Sequence, residues 1–202
     1  MKLRIISGEL KGRYITIGDA VGYRPTLERI REAVASIVKG KIPGAAVADL
    51  CAGSGAFGFE MLSRGARRID FVDIDKMSAI KIADNAKRLG ADGRIRVIRD
   101  DVRKFVRDCY RKTTGNEVDR YDIIYYDPPY DNDALHELAL DLLPLLKNDG
   151  LLIYERRRRK GEKKTNRDNK INMTDVRIFS DTVVEFYTNE DKNANSAIPG
   201  DV

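Results

Sequence analysis

Four short apolar runs, each reaching a carboxylate and each followed by a helical pattern, constrain this chain more than any other feature. They span residues 46–50, 69–74, 95–98 and 122–126, and the acids at or just past their ends are Asp49, Asp73, Asp100-Asp101 and Asp127. Runs this short, separated by helix-length segments, predict parallel strands with crossover helices, because a tight turn cannot join a parallel pair. Helices are expected near 56–64, 76–89, 101–111 and 133–146, and a fifth strand at 150–154. Two last strands, 174–179 and 182–187, are separated by Ser180-Asp181, which predicts a hairpin and one antiparallel strand. The expected fold class is α/β with a doubly wound, mostly parallel sheet. Ligands of such a sheet sit at the carboxyl ends of its strands, where the four acids fall. Ahead of it, Leu3 to Ser7 and Arg13 to Ile17 read as a β-hairpin. Thr26 reads as the cap of a helix running to Val38, with Arg29 as its third helical residue.

The first of these strands leads into Ala52-Gly53-Ser54-Gly55-Ala56-Phe57-Gly58. Glycines let the backbone approach a ligand, and a helix opening at Ala56 offers free amides to an anionic group. The spacing Gly53-x-Gly55-x-x-Gly58 fits a dinucleotide fingerprint as well. Asp49 argues against a dinucleotide: beside the glycines it would oppose a pyrophosphate, yet it suits the cationic amino-acid end of S-adenosylmethionine. Asp73 lies 20 positions after Gly53, where a ribose-binding acid belongs, with Ile74 beside it. Asp101 can accept from an adenine amine. The candidate cofactor residues are thus Asp49, Ala52, Gly53, Ser54, Gly55, Asp73, Ile74 and Asp101. Each acid taken singly reads more simply as a solvated loop residue or a helix cap; three at successive strand ends do not.

The fourth strand runs into Tyr125-Tyr126-Asp127-Pro128-Pro129-Tyr130. Successive prolines fix φ and remove two backbone donors, so the carbonyls and the Asp127 carboxylate stay free to accept. An exocyclic base amine is a donor that needs such acceptors, and attack by its nitrogen is helped when they draw it toward a tetrahedral shape. Tyr130 can stack on a base turned out of its helix. Asp127, Pro128, Pro129 and Tyr130 are therefore the candidate catalytic residues. An ordinary turn after a strand is the plain alternative.

Charge is unevenly spread. Residues 156–170 hold nine Lys/Arg against Glu162 and Asp168, a net of +7; residues 1–41 carry +5, and the whole chain also +5, so the remainder is acidic at −7. Basic edges around an acidic centre fit a protein that grips phosphates at its rim and a cationic cofactor at its middle. A solvated charge run is the plain reading of 156–170. With 202 residues and 42% hydrophobic content the chain can bury one core. No apolar run approaches membrane-spanning length and no leader pattern follows Lys2 and Arg4, so a cytoplasmic monomer without membrane contact is expected. Cys51 and Cys109 lack metal spacing and are expected as reduced thiols. His136, the one histidine, is expected in a surface or packing role, and no metal site is expected.

Taken together, these motifs resemble the class I S-adenosylmethionine-dependent methyltransferases. Within that class they are similar to the RsmD-like family, which methylates the exocyclic N2 of a guanine in 16S ribosomal RNA. The resemblance rests on Arg4-Ile5-Ile6-Ser7-Gly8, Lys11-Gly12-Arg13, Arg24-Pro25-Thr26, Asp49 to Ala56, Leu62 to Ala66 and Asp127-Pro128-Pro129-Tyr130. It covers residues 1 to about 155 and resumes at Val176 to Thr182. It implies a Rossmann-like sheet of order 3-2-1-4-5-7-6, an S-adenosylmethionine cofactor and a partner in 16S rRNA or the small ribosomal subunit. By resemblance alone, Arg24 and Thr26 are placed near the cofactor. Arg4, Lys11, Arg13 and Arg156, Arg157, Arg158 and Arg159 are the expected RNA contacts. Residues 1–188 are expected as one domain, with 1–40 an RNA-contacting extension, 156–172 a basic loop and 189–202 a flexible tail. Cys51 departs from the aromatic residue usual there, and the basic run is longer than the family pattern. A DNA adenine-N6 methyltransferase, a protein-glutamine methyltransferase and a noncatalytic RNA-binding protein are the competing classes. The first is disfavoured because no segment is long enough for a separate DNA-reading domain, and the second because it usually has Asn in place of Asp127. The third gives no reason to keep Asp49, Asp73 and Asp127 together.

Overall fold

Seven strands in the order β5-β4-β3-β6-β7-β9-β8 form the scaffold on which everything else is hung. The computed structural model describes residues 1–18, 25–113, 120–159 and 173–189, with the backbone alone at 25–27, 112 and 113. A two-stranded hairpin, β1 (Lys2–Arg4) and β2 (Tyr14–Thr16), precedes α1 (Pro25–Ile37). The alternating part follows: β3 (Ala46–Leu50), α2 (Ala56–Ser63), β4 (Arg68–Asp73), α3 (Lys76–Leu89), β5 (Ile95–Arg99), α4 (Val102–Thr113) and β6 (Tyr121–Tyr126). Then come α5 (Asp133–Glu137), a 3₁₀ segment (Leu138–Leu145), β7 (Leu146–Arg157), β8 (Met173–Phe179) and β9 (Thr182–Thr188). The strands from β3 to β7 pair in parallel, and β9 runs against both of its neighbours. Counted from β3, this is the order 3-2-1-4-5-7-6. Among the described residues no helix is long and apolar enough to cross a membrane.

β3 is buried along its whole length, as a central parallel strand covered on both faces must be. Val47, Ile69, Phe71, Ile123 and Ile153 turn to one face, against α1, α2 and α3; Ala48, Val72, Ile124 and Leu152 turn to the other, against α4 and the 3₁₀ segment. Glycine at 58 lets α2 approach β4: a Cβ there would lie 2.3 Å from Phe71 Cε1. No side chain larger than hydrogen fits.

Three local departures from the sequence expectations have physical causes. Pro25 opens α1, so Thr26 is a helical residue and not the cap; proline suits the first turn because no helical bond is lost there. The helix expected over 133–146 is α-helical for five residues only. Pro144 lies in the remainder, where its missing amide and its ring oppose α-helical bonding, and the chain tightens to 3₁₀. β7 runs on to Arg157, which takes Arg156 out of the expected basic loop. Arg156 is buried, with Nε and Nη2 donating to Glu185 Oε1 at 3.0 and 2.7 Å. Most of that loop and the tail from 190 onward lie outside the described residues.

The hairpin is fastened to the backs of α2 and α3 by polar groups buried for that purpose. Glu60, fully buried, accepts from the amides of Ile6 (2.9 Å) and Ser7 (3.1 Å) and from Arg64 Nε (2.8 Å). Asn85 both donates to and accepts from the Thr16 backbone, and Ser63 Oγ accepts from the Leu10 amide at 2.9 Å. Gly8, at φ +86°, presses so close that a Cβ would sit 1.8 Å from the Ser63 carbonyl oxygen. Gly8→Ala is therefore expected to destabilise the fold by about 2–4 kcal/mol through strain and weakened docking bonds. Chemical denaturation followed by circular dichroism measures this; a midpoint equal to that of the unchanged chain would show that the turn relaxes freely.

Candidate active site

A cavity of about 660 Å³ opens at the carboxyl ends of β3, β4, β5 and β6. Its floor is the loop after β3, where Cys51, Gly53 and Gly55 all have positive φ (58°, 52° and 71°), so the chain folds back sharply before α2 begins. A non-glycine residue held there, Cys51, is strained backbone at a ligand-facing position. Burial and the neighbouring Asp73 and Asp127 push its thiol up to about 12, so it is neutral and unreactive.

One side of the cavity comes from β4 and β5. Asp73 Oδ2 accepts from the Gly53 amide at 2.6 Å and Oδ1 from the Asp75 amide at 2.8 Å, which ties the loop after β3 to the end of β4. Ile74 follows with 67% of its surface exposed, an apolar side chain at the cavity wall. Asp101 is held by Arg103, whose Nη2 donates to Oδ2 at 2.6 Å and Nε to Oδ1 at 3.0 Å. That guanidinium draws the Asp101 carboxyl down to about 2. Arg103 itself lines the cavity, although nothing in its sequence context set it apart.

The other side is the turn after β6. Asp127, Pro128, Pro129 and Tyr130 all line the same cavity. Burial first, then the charges of Glu155 and Asp49, raise the Asp127 carboxyl well above the ordinary range. Asp49 does not line the cavity. It lies beneath the loop, with Oδ2 accepting from the Gly58 amide at 2.9 Å, and burial pushes it up to about 8 despite that bond. A perturbed acid pair at the end of a sheet, next to a cavity, is a candidate functional site.

Residues 3–188 match the family model described as "Conserved hypothetical protein 95". Over 154 residues the chain is 32% identical to "Ribosomal RNA small subunit methyltransferase D" of Escherichia coli (strain K12), covering 76% of this chain and 71% of that one. The chain belongs to that family. It is also 31% identical over 155 residues to "Putative rRNA methyltransferase YlbH" of Bacillus subtilis (strain 168), covering 76% and 82% of the two chains. Among solved structures, "Putative methyltransferase yhhF from Escherichia coli" superposes with a TM-score of 0.77 at 25% identity, covering 95% of this chain and all of that one. The sheet is thus the one its family shares.

The other residues singled out in the sequence fall in three places. Gly53 lines the cavity, while Ala52, Ser54 and Gly55 shape the loop that carries it. Arg24, and the side chain of Thr26, lie outside the described residues. Arg4, Lys11 and Arg13 sit in and beside the hairpin turn, which docks where α2 and α3 end. Since both helices start at the cavity, their ends lie at the opposite edge of the sheet, so the hairpin turn is not beside the site. Arg13 Nη2 there donates to the Arg88 carbonyl at 3.1 Å. Glu155, the buried neighbour of Asp127, was missed; its signal is its place immediately after the apolar run Leu151 to Tyr154. Removing the Asp73 carboxylate is expected to weaken S-adenosylmethionine binding by about 1–3 kcal/mol. Calorimetric titration of Asp73→Ala measures it, and unchanged affinity would take Asp73 out of cofactor binding.

Proposed function

We propose that this chain methylates the exocyclic N2 of a guanine in 16S ribosomal RNA, with S-adenosylmethionine as the methyl donor and the cytoplasmic small ribosomal subunit as its partner. The observation that carries this reading is a shared wall. The amine-accepting group Asp127, Pro128 and Tyr130 lines the same cavity as Gly53, Asp73, Ile74 and Asp101. Relatives named as ribosomal RNA methyltransferases support RNA as the substrate class.

The donor set fits the cofactor on its chemistry. A nucleoside with a cationic amino-acid tail calls for acids at its hydroxyls and amines, an apolar surface for its base and glycine backbone at its tail. Asp73 and Asp101, Ile74 and Gly53 offer these. When bound, S-adenosylmethionine supplies a methyl carbon already activated by its sulfonium, so no covalent enzyme intermediate is called for. The protein's share is alignment, which can account for much of the rate. Asp127 and the Pro128 carbonyl accept from the base amine, the two prolines keep both acceptors fixed, and the half-buried Tyr130 ring stacks on the base. Arg157, Arg158 and Arg159, past the cavity at the end of β7, are the phosphate contacts of this reading, whereas Arg156 is engaged with Glu185.

Asp127→Ala is expected to abolish transfer while leaving cofactor affinity nearly unchanged, because its contact is to the amine. The assay is labelled methyl transfer to 30S subunits, with modified nucleosides mapped; wild-type turnover by the variant would reduce Asp127 to a turn residue. Replacing Arg157, Arg158 and Arg159 together by Ser is expected to flatten the salt dependence of RNA binding by about 0.7–0.9 in slope for each phosphate that an arginine neutralises. A slope equal to wild type would leave these arginines as a solvated strand end.

A further inference from the structure

Glu155 is a buried carboxyl to which the proposed reaction gives no task. It is 1% exposed near the end of β7. Tyr126 of β6 pairs with Tyr154 of β7, so Asp127 and Glu155 follow as the next cross-strand neighbours. Adjacent strands are about 4.8 Å apart, which brings the two carboxyls side by side, Glu155 buried and Asp127 half-buried at the cavity wall. Like charges so placed resist ionising together, and one of the two keeps a proton.

Hydrogen bonds decide which. Glu155 Oε2 accepts from the Tyr125 hydroxyl at 2.6 Å, and Oε1 from the Tyr130 hydroxyl at 3.3 Å. The Tyr125 ring is itself fixed, stacked on Phe57 with centroids 3.8 Å apart. Two phenol donors favour ionised Glu155, so the proton rests on Asp127. The Tyr130 hydroxyl also lies 3.3 Å from Thr182 Oγ1 of β9, which leaves its ring little freedom over the cavity.

We propose that Glu155 is a positioning residue for the methyl transfer, holding the Tyr130 ring through its hydroxyl and sharing one proton with Asp127 across the β6–β7 pair. This rests on the reading of the site as an amine methylase. As the new N–C bond forms and the C–S bond breaks, the amine nitrogen becomes positive and gives a proton to the Asp127 carboxylate. A carboxyl still holding the shared proton cannot take it. Turnover therefore rises with pH as Asp127 ionises, above the ordinary carboxylate range. The other groups facing the pair are Asp49 of β3, Cys51 of the following loop, Tyr125, Tyr130 and the Thr182 hydroxyl. Asp49, pushed up to about 8, is raised as well and must be told apart.

The experiment is a carboxyl titration by carbon-13 NMR of the intact chain and of Glu155→Gln, with Asp49→Asn and Asp127→Asn assigning the signals, beside the pH profile of methyl transfer to 30S subunits. Gln keeps the shape and an oxygen acceptor for a tyrosine hydroxyl but removes the charge. The Asp127 signal and the rising limb of the rate should both move to lower pH by about 1 unit or more. Tyr130→Phe should raise KM for RNA several-fold and, with one phenol donor to Glu155 lost, move that limb to lower pH by less than Glu155→Gln does. An Asp127 titration in Glu155→Gln that superposes on wild type would overturn the proposal and leave Glu155 a packing residue. Absence of RNA methylation by the wild-type chain at every pH would instead sink the functional reading, and the NMR titration would still decide whether the proton is shared.

Discussion

Helix α2 lies closer to the sheet than any side chain at position 58 would allow, and much of the molecule takes its position from that contact. Phe71 fills the space in front of Gly58 and also lies 3.1 Å from where a Cβ of Gly55 would be. With α2 fixed there, the loop before it must turn through three positive-φ residues, and that turn is the cavity floor. The same helix carries Phe57 onto Tyr125, which in turn holds Glu155. One turn further on, Glu60 and Ser63 gather the amides of the N-terminal hairpin. A single close approach thus couples the glycine loop, the Asp127-Pro128-Pro129-Tyr130 turn and the N-terminal hairpin. Dense packing of this kind transmits even small displacements, because its contacts have no slack.

What could be read from the sequence was local, and what could not was not. Strand and helix alternation, the glycine loop and the acid at each strand end are periodic or contiguous patterns, and β3, β4, β5 and β6 fall within a residue or two of expectation. Glu155 shares that place, directly after the strand expected at 150–154, but its meaning comes from Asp127, 28 positions earlier, one strand away. Arg156 shows the opposite failure: in a run of four arginines nothing distinguishes it, and only the strand pairing that brings Glu185 beneath it decides that it is buried. Lys11 and Arg13 stand in the sequence as basic residues of an N-terminal extension expected by resemblance to contact RNA. Their true location depends on Glu60, Ser63 and Asn85, whose buried polar groups look in the sequence like ordinary helix-surface residues.

The acidic centre also carries a conflict that the fold alone does not resolve. Burial raises Asp49, Asp127 and Glu155 alike, and each charge makes its neighbours harder to ionise. Folding such a cluster is unfavourable as pH rises: a carboxyl with a raised folded-state value binds its proton more tightly in the native chain. Its stabilising share is therefore complete below the unfolded value near 4 and fades as pH climbs through the folded one. For Asp49 that window runs up to about 8. A structure selected for stability alone would have replaced one of these acids by an amide. Their retention makes sense if the cavity above them receives a positive charge, since a cation there favours the ionised carboxylates and offsets the repulsion among them. Asp101 sits outside this cluster, with its own arginine already in place, and is drawn down rather than up. The site thus separates into a side where Asp101 is already neutralised by the chain itself and a side whose acids have no such cation, and the second is the side that holds Asp127 and Tyr130.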